Sequence, residues 1–247
     1  MRTYNLIGIF SGMGALLLLS PTCSELSAAP SAAMSAAQQT QLPAIEVKTG
    51  DVSGGCMVIL ERLRSKGSQY CPCVGVETDS GTATASSTSA ATIPAGRFQD
   101  QVEKLAELSG YVVNTDGDWL NFIPKEKATD PDYVMNVRIP GKVVLSRDAQ
   151  KYTSIGKWMS DHHIQVFWQL VGLAPDPSRP TAKASYIQDP TILESPSLRE
   201  HANMHYALRG HNLWIVSVKT MPPTEKNPYR SFQLTYQFGD MGDSANE

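Results

Sequence analysis

The sequence predicts an α+β fold, with small mixed β-sheets and packed helices in repeated βαβ and βαββ-type modules. Three observations lead there. Strand, helix, strand units recur about four times along the chain, at unequal spacing. Residues 92–124 compress one unit: Ile93 and Pro94 close a strand, Phe98, Val102, Leu105 and Ala106 form a helical stripe, and Gly110 stops it. Residues 111–113 and 119–123 then flank Asp116-Gly117, a pair suited to a tight hairpin, so these strands run antiparallel and small modules fit better than one long parallel sheet.

Taken in order, the chain opens with Arg2, an apolar run from Leu6 to Leu19, and Ser20-Pro21-Thr22-Cys23. This is the order of a secretory signal peptide, assigned to residues 1–24, and the Ala/Gln-rich tract 25–43 is expected to be disordered. The run of about 14 residues is short of the roughly 20 that span a bilayer. Cys23 stands where a lipoprotein would be acylated, a candidate membrane tether, although Pro21 and Thr22 are unusual before such a cut. The expected location is the periplasm or cell envelope, or the exterior.

Residues 44–78 read as a small cysteine-bearing βαβ unit: a strand at 44–47, a helix carrying Met57, Ile59, Leu60 and Leu63 up to Gly67, and a strand at 70–76. Residues 79–91 are almost all Ser, Thr, Ala and Gly, the composition of a linker. The next module, 92–171, adds to the unit above a strand at 133–139, a short strand at 143–145, a helix over 148–163 with Tyr152, Ile155, Trp158 and Met159 on one face, and a strand at 164–171. Pro175, Pro177 and Pro180 mark a loop. A second module, 172–238, places Leu198, Ala202, His205 and Leu208 on one helical face, with Ser197 as N-cap, Glu200 completing a capping box and Gly210 as the stop. Strands at 213–218 and 231–238 follow, the latter alternating Phe232, Leu234, Tyr236 and Phe238, and 239–247 is a polar tail.

With 247 residues, 41% hydrophobic and 18% charged, the chain can bury substantial cores. A net charge of −3 gives no broad positive field, which argues against a nucleic-acid partner. Cys56, Cys71 and Cys73 follow the signal segment, and export favours pairing two of them. A bridge from Cys56 to Cys71 or Cys73 would close a loop of about 15 residues, worth roughly 3 kcal/mol on chain entropy. The Cys-Pro-Cys spacing lacks the two intervening residues of redox motifs, and a zinc site would need two further ligands.

The phrase Leu105-Ala106-Glu107-Leu108-Ser109-Gly110-Tyr111, a hairpin, then Trp119-Leu120-Asn121-Phe122-Ile123-Pro124 resembles the short N-terminal module of secretins and TonB-dependent receptors. Residues 198–218, with Gly210 and Trp214, look like a more divergent copy. The continuation through Val137-Arg138-Ile139-Pro140 is similar to uncharacterised exported bacterial proteins built from such modules. The resemblance implies helices packed on a small sheet that docks another envelope protein, and it carries over no catalytic residue. It implies no membrane channel here, which would need hundreds of further residues.

Little else carries chemistry. His201 and His205 stand one helical turn apart, a spacing that can place two imidazoles on one metal, and a small secreted metal-dependent hydrolase is the alternative reading. Glu200 precedes the pair instead of lying within it, and His205 falls on the apolar stripe. His162 and His163 suit a helix C-terminus. Asp116 and Asp118 suit a turn better than a carboxylate pair. No nucleophile elbow, phosphate loop or dinucleotide fingerprint occurs. Of Trp119, Trp158, Trp168 and Trp214, core packing should take most and leave one for a partner. The expectation is therefore a non-enzymatic exported protein, without cofactor, that binds another exported or envelope protein by a sheet edge or by its tryptophan strands. Trp119, Phe122, Trp214 and Tyr236 are the candidate contacts.

Overall fold

Local signals set most elements of the computed structural model, which describes residues 29–68, 70, 72–79, 89–170, 188–225 and 227–239. Ser31 caps helix α1 (Ala32–Gln38) by accepting from the Met34 N–H at 3.1 Å. Strands β1 (Gln41–Leu42) and β2 (Ile45–Lys48) lead to α2 (Val52–Ser65), capped by Asp51. Then come β3 (Cys73–Asp79), β4 (Ala90–Ile93), β5 (Gly96–Arg97), α3 (Phe98–Ser109), and the hairpin of β6 (Tyr111–Asp116) and β7 (Trp119–Pro124). Gly110 ends α3 at φ 78° and Gly117 turns the hairpin at φ 57°, the left-handed values that glycine supplies without steric cost. The second half holds β8 (Lys142–Leu145), α4 (Gly156–Asp161), β9 (Ile164–Leu170), β10 (Thr191–Glu194), α5 (Leu198–Leu208), β11 (Leu213–Met221) and β12 (Ser231–Gly239). The capping box of α5 is formed in full by Ser197 and Glu200.

Strand pairing reveals a repeat. β2 pairs β4 antiparallel, as β8 pairs β10. β3 pairs β7 in parallel, as β9 pairs β12. β6 pairs β7 antiparallel, as β11 pairs β12. The fold is α+β: two copies of one βαββαββ path, each with a three-stranded mixed sheet, a two-stranded ribbon and two helices. The two larger sheets fuse where β3 pairs β11 in parallel, giving the order β6-β7-β3-β11-β12-β9.

The second copy is turned over relative to the first. β11 runs with β3, whereas its counterpart β6 runs against β3. Accordingly α2 and α3 bury Val74, Val76, Leu120 and Phe122 in a first core on one face, while α5 buries Cys73, Trp119, Trp214, Val216, Leu234 and Tyr236 in a second core on the other. The central strands are thus covered on both faces, which is why β7 reads as a near-continuous apolar run.

Polar side chains of α5 tie the two copies together across the seam. Arg199 on α5 donates through Nε and Nη2 to the fully buried Glu77 on β3, the latter bond at 3.1 Å, and through Nη2 to Asn136 Oδ1 at 2.8 Å. Asn203 on α5 donates to Asp116 at 3.1 Å and accepts from Trp214 Nε1 at 3.0 Å.

Several expectations need correction. Ala32–Gln38 is helical because Met34 and Ala37 share an apolar face that packs into the first core, so the tract 25–43 is not wholly disordered. The unit 44–78 does not stand apart, and the chain does not divide at 79–91, because β2 and β3 both pair beyond that stretch. Residues 133–139 do not form a strand: Val134–Asn136 is a 3-10 turn, where Tyr133, Val134 and Met135 are buried in succession against the alternation of a half-buried strand, and beyond it only an isolated antiparallel bridge joins Arg138 to Ser197. The helix over 148–163 contracts to α4, preceded by a 3-10 turn at Ala149–Lys151. The signal segment 1–24 with Cys23, most of the linker, Cys71, the loop at 175–180 and the tail from 240 lie outside the described residues. No described helix is long and apolar enough to cross a membrane.

Candidate functional site

The four aromatic residues singled out as partner contacts are all inside. Trp119 is 6% exposed, Phe122 and Trp214 are fully buried and Tyr236 is 3% exposed, because β7, β11 and β12 lie within the sheet and are packed from their helix sides. The tryptophan left for the surface is Trp168, 55% exposed, beside Phe167 at 50%. Both lie on β9, the last strand of the six-stranded sheet. The signal that finds them is the unbroken run Ile164-Gln165-Val166-Phe167-Trp168-Gln169-Leu170, which contains no charge, proline or glycine.

β9 has one paired edge and one open one. Phe232 N–H donates to the His163 carbonyl at 3.0 Å. Alternate residues direct their backbone groups to opposite sides, so Gln165 and Phe167 also face β12, and Val166 and Trp168 turn their N–H and C=O outward. No described strand pairs with that outer edge. Natural sheets protect such edges with lysine, proline or a bulge, and β9 has no lysine or proline. Its side chains serve two faces. Ile164 and Val166 pack into the second core, and Trp168 stacks on Tyr236 with ring centroids 5.3 Å apart. Phe167 projects from the opposite face, beside the polar row Gln233, Thr235 and Gln237 of β12. Val166 also lines a groove of about 660 Å³ with Met159, His163, Ile164, Met221 and Pro222.

Under Trp168 lies a histidine cluster carried by α5. The rings of His201 and His205 stack at 5.6 Å, His205 lies 6.1 Å from Trp168, and Arg209 Nη1 donates to His205 Nε2 at 3.1 Å. His201 is 5% exposed and its buried Nε2 has no hydrogen-bond partner among the described residues. Burial, with Arg209 adding repulsion, pushes the His201 imidazole down to about 4. Burial, Arg209, His201 and His211 together push His205 to about 3. No group of three or more His, Cys, Asp or Glu side chains is placed to hold a metal ion among the described residues.

This cluster makes stability pH-dependent with a definite sign. The unfolded chain takes up protons on these histidines near pH 6.5, whereas the folded chain resists until about pH 4 at His201. Stability is therefore complete above that window and lost as pH falls through it, by roughly 3 kcal/mol for His201. Urea unfolding midpoints should fall between about pH 7 and pH 5, and fall less in His201→Phe. An equal fall in the variant would contradict this.

The remaining candidates take structural places. Cys56 packs in the first core and Cys73 in the second, and no disulfide is formed among the described residues. Asp116 and Asp118 bracket the hairpin turn, Asp118 accepting from the Ser31 N–H at 3.3 Å. His162 caps α4, its Nδ1 2.8 Å from the Trp158 carbonyl oxygen, and His163 stacks on Tyr229 at 4.5 Å. Comparison with protein families, with curated proteins and with solved structures found no match.

Proposed function

We propose that this chain is a non-enzymatic, exported binding protein that engages another exported or envelope protein by strand addition along β9. One observation carries the reading: an uncharged edge strand of seven residues with its outer backbone groups unpaired by any described strand and an exposed aromatic on each face. Main-chain pairing would supply affinity, and Phe167 and Trp168 would supply specificity from opposite sides of the incoming strand. The resemblance to secretin and TonB-dependent receptor modules points to the same mode of action, since it implies docking to an envelope partner. The signal-like N-terminal pattern supports a partner outside the cytoplasm. No cofactor enters this function.

The test is crosslinked capture from the protein's own envelope fraction, using wild type, Trp168→Ala and Phe167→Lys. An exposed aromatic anchor is worth about 2 kcal/mol or more, so Trp168→Ala should weaken capture by more than about tenfold. A lysine on the edge should block pairing outright. Undiminished capture by both variants, each retaining the wild-type circular dichroism, would refute the proposal.

A further inference from the structure

We infer that the strand received by the β9 edge is β6 of a second copy of this chain, joined head to tail; this rests on the reading of β9 as a binding edge and makes the second copy the exported protein that the edge engages. The chain already contains this joint once. β3 and β9 hold the same place in the two copies of the repeat, each the outermost strand, parallel to the second strand of its hairpin. β11 and β6 likewise hold the same place, each the first strand of that hairpin. Within the chain, β3 of the first copy pairs in parallel with β11 of the second. That leaves one β3-type edge, β9, and one β11-type edge, β6, at the two ends of the six-stranded sheet.

These edges are complementary by the relation the molecule itself displays. In the existing joint, Val74 and Val76 lie under the helices of their own copy, and Cys73 and Glu77 on the opposite face meet α5 of the next. On β9, Val166 and Trp168 lie on the side of their own core, and Phe167 lies on the face where the same relation places α3 of the following molecule. β6 is suited to be received. Its sequence, Tyr-Val-Val-Asn-Thr-Asp, contains no lysine or proline, and all six residues are only partly exposed. Lys125 N–H donates to the Gly110 carbonyl at 3.0 Å, so by alternation Val112 and Asn114 face β7, and Tyr111 and Val113 direct their backbone groups outward.

The relation between the copies turns the module over and advances it along the sheet, so repeating it never closes. A joint between unlike edges is heterologous, and one that does not close builds an open chain. After two steps strand direction is restored, so successive molecules would add to one continuous sheet in the same orientation.

Sedimentation velocity of the purified chain across a dilution series tests this. Wild type should form a concentration-dependent ladder of dimer, trimer and longer species. Trp168→Pro removes the outward donor of β9, and Val113→Pro that of β6; proline is tolerated where an edge N–H faces solvent. Each variant alone should be monomeric, and an equimolar mixture should give a dimer and nothing longer, because each molecule then offers one intact edge. Phe167→Lys and Val112→Lys serve as second variants should a proline unfold its strand, and should behave alike. A wild type that is monomeric throughout, or a dimer that Val113→Pro leaves intact, overturns the head-to-tail joint. If capture of an envelope protein is nonetheless lost in Trp168→Ala, β9 remains a binding edge with a different occupant, whereas loss of neither assembly nor capture in the β9 variants removes both readings.

Discussion

Arg199→Ala is expected to cost about 3–5 kcal/mol of stability. Glu77 is fully buried on β3, and Arg199, only 6% exposed on α5, is its counter-charge and donates two hydrogen bonds to it. Burial already pushes the Glu77 carboxyl up, against the opposing pull of Arg199. Without the guanidinium the carboxylate is left in the interior uncompensated, and it must either take up a proton or open the seam. The pair joins the first copy of the repeat to the second, so unfolding of the variant should also split into two transitions. Replacing both partners with apolar residues of similar size, Glu77→Leu with Arg199→Met, should recover most of the loss, because desolvation of the pair offsets much of its attraction. Urea unfolding of the single and double variants measures this, and a loss below about 1 kcal/mol for Arg199→Ala would contradict it.

Trp214→Ala should cost a similar amount, about 3–5 kcal/mol, from lost burial and the cavity it leaves. The ring is fully buried, tilted against Trp119 at 6.3 Å and held by its Nε1–H on Asn203. Its place depends on Gly75, its cross-strand neighbour on β3: a Cβ there would lie 2.4 Å from the indole and 2.7 Å from Asn121 Oδ1. Gly75→Ala should therefore destabilise by about 1–3 kcal/mol, and the two substitutions should not add, since removing the indole makes room for the new methyl. Differential unfolding of the two single variants and the double variant reads this coupling. Strict additivity would mean that the seam is looser than described. Loss of a partner in Trp214→Ala would report the core, so only Trp168 and Phe167 serve as surface probes.

What could be read in advance follows from how far each signal reaches along the chain. Gly110, Gly210, Asp116-Gly117 and the Ser197 to Glu200 capping box are local instructions, and each is where the sequence places it. The alternation of Phe232, Leu234, Tyr236 and Phe238 is likewise local, and all four pack on the second core. The fusion of two three-stranded sheets depends on β3 meeting β11 far along the chain, and a parallel pair leaves no turn residues to announce it. That fusion brings α5 over Trp119 as well as Trp214, which is why both indoles are core and not surface. Trp168 and Phe167 belong to an equally apolar strand, and only its place at the end of the strand order exposes them. The strand β10 is not legible in the sequence for a related reason: Thr191 to Glu194 is too short to declare itself without β8 beside it.

Hydrogen exchange on the captured complex, resolved to β9, tests the central claim most directly. In the chain alone the outward amides of Val166 and Trp168 should exchange quickly while those of Gln165 and Phe167, facing β12, are protected. On binding, Val166 and Trp168 should become as slow as their neighbours, as an added strand requires. Unchanged exchange along β9, with protection gained on another element, would place the partner elsewhere and contradict the account.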